Sequence, residues 1–236
     1  METPGLLVAL DLPTAEEAVD VAEAVAPHVV GFKVGLGLLH GPGPAVVAAL
    51  VRLDRPVFAD AKLHDIPSQV RRAAAALGRH GARWVSVHVA GGAAMVEAAV
   101  EGLREGAGAA PAGILGVTVL TSLDGNRLSE VGIQQSPGKL VSKMARVADA
   151  AGCEGVVCSP RELGVLADVA PDLLRVTPGI RSEPAQDQLR VATPEEAVHR
   201  GAQLLVVGRP VTTAPDPAEA ARHLADRIRR AAAGTE

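Results

Sequence analysis

Residues 56–79 read PVFADAKLHDIPSQVRRAAAALGR and hold one complete structural period. The run over 56–61 is short, apolar and bounded by Pro56, which reads as a buried strand. From Pro67 to Arg79 apolar residues return at helical spacing, with proline in the first turn where its missing N–H costs nothing. Charge sits between the two, at Asp60, Lys62 and Asp65. The stretch is therefore a strand, a polar turn and a helix.

The same unit recurs along the chain. Strands are expected at 6–11, 29–34, 56–61, 83–88, 113–120, 154–158, 173–177 and 203–208. Helices are expected near 14–25, 43–51, 67–79, 92–104, 138–151, 159–167, 193–199 and 216–232. Strands this apolar are buried on both faces, as in a parallel sheet covered by helices. Thr14–Glu17, Ser159–Glu162 and Thr193–Glu196 each read as a capping box placed just after an apolar run. Eight such units in 236 residues fit a (β/α)8 barrel, α/β in class and a single domain over 1–236. A doubly wound open sheet competes, but Asp11-Leu12-Pro13 follows the first strand where a dinucleotide fold would carry a glycine-rich turn.

Composition narrows the function. The formal net charge is −4 and aromatics make up 1% of residues, so neither a basic surface nor stacking platforms exist for nucleic acid. No apolar run reaches the ~18 residues of a membrane span, and the N-terminus lacks the charge and apolar length of a signal peptide. Cys153 and Cys158 have neither a disulfide framework nor metal-ligand spacing and read as small buried hydrophobes. A cytoplasmic protein acting on a small molecule is expected.

In a barrel, chemistry collects where strands end. Asp11 ends the first strand, Lys33 lies in the second, Asp60 and Lys62 end the third, His88 the fourth, and Thr121-Ser122 the fifth. Thr177-Pro178-Gly179-Ile180-Arg181 and Gly208-Arg209 follow the seventh and eighth, where barrels commonly bind phosphate. Asp60 and Lys62, two apart on a strand, share a face and must pair if buried. Only four lysines stand against nineteen arginines, and two of the four are at strand ends, where a compact ammonium suits proton transfer. These residues alone point to a phosphorylated small substrate, Asp/Lys acid–base chemistry, no organic cofactor and no metal cluster.

Asp60-Ala-Lys62-Leu-His-Asp65-Ile-Pro67 also resembles the DxKxxD-I-P motif of the orotidine 5′-phosphate decarboxylase family. The likeness extends to Ala9-Leu-Asp11, Phe32-Lys33-Val-Gly35, Val87-His88, Val117–Ser122, Thr177–Arg181, Asp187-Gln188 and Val207–Thr212. It implies a homodimeric barrel that forms uridine 5′-phosphate and CO2. Lys62 would protonate C6, Asp60 would face the substrate carboxylate, and Asp65 would enter the neighbouring subunit's site beside Lys33. Asp11 and Lys33 would contact the ribose, and Thr121 the pyrimidine. Arg181, Gln188, Gly208 and Arg209 would hold the phosphate, with 182–188 as a closing loop, and Pro178 would also be substrate-binding. The family carries Thr four residues after Asp65, where this chain has Gln69. A metal-dependent sugar-phosphate decarboxylase on the same barrel, or a non-catalytic nucleotide-binding barrel, are the competing readings.

Overall fold

The structure, a computed structural model, describes residues 4–181 and 192–234. Among these, the parallel strands β1 (Gly5–Ala9), β2 (Gly31–Val34), β3 (Val57–Leu63), β4 (Trp84–His88), β5 (Gly113–Val117), β6 (Gly155–Val157), β7 (Leu174–Thr177) and β8 (Leu204–Val207) form a closed barrel in sequence order, β8 pairing back onto β1. The open-sheet alternative is excluded by that closure. The helices are α1 (Ala15–Val25), α2 (Leu36–His40), α3 (Ala45–Val51), α4 (Pro67–Arg79), α5 (Ala93–Ala107), α6 (Gly125–Glu130), α7 (Pro137–Ala150), α8 (Leu163–Val169), α9 (Pro194–His199), α10 (Arg209–Thr212) and α11 (Pro217–Ala233).

The alternation of side chains along each strand divides the core in two. Leu6 and Val8 of β1 point outward into the layer under the helices, whereas Leu7 and Ala9 point inward. Inside, Leu7 and Ala9 meet Phe58, Trp84, Leu115, Val176, Leu204 and Val206, which fill the lower barrel and leave only its upper mouth open to chemistry.

Of the three expected capping boxes, one forms in full, at Thr193, and one in its hydroxyl half, at Thr14. Thr14 accepts a hydrogen bond from Glu17 N, and Thr193 and Glu196 bond reciprocally. The third differs: Glu162 accepts from Ser159 N at 2.8 Å, but the Ser159 hydroxyl has no partner among the described residues. No hydroxyl caps the first turn there, and α8 begins at Leu163 rather than 159. β5 likewise stops at Val117 instead of 120, because Thr118 Oγ1 donates to Val157 O and the chain turns away from the ladder. Both cysteines are buried, and burial pushes each thiol up to about 12.

Candidate active site

Three strand ends bring four charges of alternating sign together in a row. Lys33 Nζ lies 3.0 Å from Asp11 Oδ1 and 3.7 Å from Asp60 Oδ2, and Lys62 Nζ donates to that same Asp60 oxygen at 2.6 Å. The side chains of Lys33 and Asp60 are 10% and 12% exposed, Lys62 29% and Asp11 61%, so the array runs from the barrel interior to its rim. Burial pushes the Asp60 carboxyl up, but Lys33, Lys62 and the hydrogen bonds from Lys62 and Ser86 outweigh it and hold the group below its ordinary value. Asp60 is thus a buried anion shared by two ammonium groups.

The close approach of Asp11 and Lys33 depends on Gly35. A Cβ there would stand 2.3 Å from Asp11 Oδ1 and 3.1 Å from Lys33 Nζ, inside the space the pair occupies. On β3 the register with β4 breaks: Ala59 pairs with Val85 and Leu63 with Val87, so Asp60-Ala61-Lys62 together oppose Ser86. Lys62 takes φ +46°, a left-handed conformation uncommon for a residue with a side chain.

Two adjoining cavities open on this row. One, about 310 Å³, is polar and is lined by Asp11, Gly179, Arg181, Gly208 and Arg209. The other, about 160 Å³, has apolar walls from Phe58, Val117, Val119 and Leu120, with Thr121, Asp60 and Lys62 among its polar residues. Lys33, Pro178 and Val206 line both and mark the junction. Gly179 takes φ +80° in the turn leading to Arg181. A cleft with a guanidinium-lined lobe, an apolar-walled lobe that holds Lys62 and the Lys33 ammonium at the junction fits a phosphorylated ring compound.

The structure therefore brings together Asp11, Lys33, Asp60 and Lys62, and places Thr121, Pro178, Arg181, Gly208 and Arg209 around them. Asp65 is not in the row within one chain: it is exposed and accepts a hydrogen bond from Ile66 N. Gln188 and the 182–188 loop lie outside the described residues. Two further side chains abut the site. Ser86 bonds both Asp60 and the Lys62 backbone, and His88 packs its ring 5.5 Å from His64 behind Lys62. Desolvation, reinforced by His64 and Lys62 and opposed by Asp60, holds His88 below its usual value, so it sits there as a neutral imidazole near neutrality. Ser86 carries no sequence signal, a single small polar residue between two valines. No group of three or more His, Cys, Asp or Glu among the described residues is arranged to hold a metal.

Comparison with known proteins follows this geometry. Residues 4–224 match the model of the Orotidine 5′-phosphate decarboxylase / HUMPS family. The chain is 51% identical over 223 residues to the orotidine 5′-phosphate decarboxylase of Anaeromyxobacter sp. (strain K), covering 93% of this chain and 96% of that protein. It is 47% identical over 232 residues to that of Thermobifida fusca, covering 97% of each. Among solved structures, the orotidine 5′-phosphate decarboxylase of Lactobacillus acidophilus aligns with a TM-score of 0.84 at 34% identity, over 97% of this chain and 99% of that one.

Proposed function

Since the chain belongs to the orotidine 5′-phosphate decarboxylase / HUMPS family, we propose that it is a carboxy-lyase that converts orotidine 5′-phosphate to uridine 5′-phosphate and CO2 in pyrimidine biosynthesis without a cofactor. The observation that carries this reading is the two-lobed cleft with Lys33 at its junction and the Asp60–Lys62 pair in its apolar lobe. Arg181, Gln188, Arg209 and the backbone at Gly208 hold the phosphate, Asp11 and Lys33 take the ribose hydroxyls, Thr121 meets the pyrimidine, and Pro178 lines the cleft between the lobes. That places C6 at the Asp60–Lys62 pair.

The chemistry follows from charge. Breaking the bond from C6 to the carboxylate leaves its electron pair on C6 as CO2 departs. The Lys62 ammonium, held 2.6 Å from Asp60, stabilises that developing charge and then transfers its proton to C6. Asp60 stands against the substrate carboxylate, and its hold on Lys62 orients the ammonium. Phosphate contacts remote from C6 supply binding energy for organising the site.

The whole chain acts as one catalytic domain, in the cytoplasm and as a homodimer, with Asp65 completing the partner's charge array. Ile66, 62% exposed beside Asp65, and Leu36, 45% exposed, offer apolar surface at that rim for a second copy to cover. No helix among the described residues is long and apolar enough to cross a membrane, and a net charge of −4 with 1% aromatics speaks against a nucleic-acid partner. The test is ultraviolet loss of the orotate chromophore with and without EDTA. Rapid, EDTA-insensitive turnover is expected. A folded protein that turns over only sugar phosphates, and only with Mg²⁺, overturns the assignment.

A further inference from the structure

We propose that Ser86 is a positioning residue for the decarboxylation, its one hydroxyl holding both the strained backbone of Lys62 and the orientation of Asp60; the inference rests on the function proposed above. Ser86 lies in mid-β4 with no exposed surface, and a buried hydroxyl is costly unless bonded. It is bonded twice. Lys62 N donates to Ser86 Oγ at 2.9 Å, and Ser86 Oγ donates to Asp60 Oδ1 at 2.8 Å. Those directions are forced, since a backbone N–H only donates and an ionised carboxylate only accepts.

The bulge explains why a side chain does this work. From Ala59 to Leu63, β3 advances four residues while β4 advances two, from Val85 to Val87. The ladder offers Lys62 N no carbonyl there, and the Ser86 hydroxyl substitutes for one. Lys62 holds φ +46°, a conformation that persists for non-glycine residues only where the surroundings impose it. With Oδ1 of Asp60 occupied by Ser86, Oδ2 alone faces the two ammonium groups, at 2.6 Å from Lys62 and 3.7 Å from Lys33. Removing the hydroxyl frees the carboxylate to rotate and β3 to relax, moving the Lys62 ammonium away from C6.

The experiment compares Ser86→Ala and Ser86→Cys with the wild type, measuring kcat, KM for orotidine 5′-phosphate and Kd for uridine 5′-phosphate. Because displacement of a reacting group by ~1 Å costs about 10²-fold, Ser86→Ala is expected to lose kcat on that order while KM and Kd stay within about 3-fold. Ser86→Cys keeps the volume but bonds weakly, and is expected to lose kcat by about 10-fold; it carries the test if the alanine variant does not fold. Retention of kcat within about 2-fold in the folded variants, or equal losses in kcat and product affinity, overturns the proposal. Should the wild type itself fail to decarboxylate orotidine 5′-phosphate, the functional reading falls and the Ser86 inference is read from a crystal structure of a folded variant instead. Lys62 leaving the left-handed region supports it, and Lys62 staying near φ +46° overturns it.

Discussion

The two ends of the barrel both carry partly buried charge, and they balance it differently. At the lower end, Arg83 donates to both oxygens of Glu154 at 2.7 and 2.6 Å, Trp84 Nε1 adds a bond at 2.9 Å, and the guanidinium lies 4.6 Å over the Trp84 ring. One cation meets one anion, and the carboxylate accepts from three donors. Nearby Arg175 is held by the carbonyls of Gly201 and Pro171. At the upper end two ammonium groups share the single buried carboxylate of Asp60, and the second anion, Asp11, sits out at the rim. The lower network closes on itself, as a structural seal should. The upper one opens on cavities lined by four cations, Lys33, Lys62, Arg181 and Arg209, and two anions, Asp11 and Asp60, a balance that suits an anionic substrate.

That contrast breaks most sharply at Lys62. On the proposed mechanism Lys62→Ala removes both the charge that stabilises the C6 carbanion and the proton that quenches it, so kcat should fall by about 10⁴-fold or more. Its thermal midpoint should stay close to the wild type, because the residue supports no packing layer. Chromophore loss and a melting curve on the same sample check both halves, and near-normal turnover would remove Lys62 from the role of acid. Glu154→Ala should do the reverse. It strands Arg83 and Trp84 without their shared acceptor, at a cost of about 2 kcal/mol for part-buried charged hydrogen bonds. For a chain of this size that lowers the melting temperature by about 4–8 °C, with kcat and KM held within about 2-fold of wild type. A loss of activity in the folded variant would mean that the two ends communicate.

The upper end was also the more legible in sequence. Asp11, Lys33, Asp60 and Lys62 stand out because a charge in or beside an apolar run conflicts with burial unless it is paired, and the structure pairs all four. What escaped was carried by backbone geometry. The β3 bulge leaves no mark on residue order, so Ser86 looked like strand interior between valines. Val119 and Leu120 extended the expected fifth strand because apolar residues that line a cavity read the same as those that pair in a ladder. Helices α2, α6 and α10, at 5, 6 and 4 residues, are too short for a 3.6-residue period to register. Asp65 reads as part of the motif, yet within one chain it stands exposed and outside the row.

The smallest expected effect separates an exposed clamp from both ends. Glu195 at the start of α9 receives two hydrogen bonds from Arg227 of α11, at 2.7 and 2.8 Å. The Arg227 hydrogen bonds are the main cause that lowers its carboxyl from 4.5 to about 2. A lowered carboxylate stabilises the fold fully above its unfolded value and loses that contribution as pH falls through the folded one. The window is therefore pH 4.5 down to about 2. The Glu195 side chain is 38% exposed, so solvent screening reduces the contribution to about 1 kcal/mol or less, or roughly 2–4 °C in melting temperature. Glu195→Gln should show that deficit at pH 7, with unchanged kcat, and the gap to wild type should shrink steadily as the buffer is taken below pH 4.5. Asp60, also lowered, loses its charge in acid too, but in wild type and variant alike, so its contribution cancels in the difference. A gap that stays constant across the acid range would show that the pair acts through packing rather than charge.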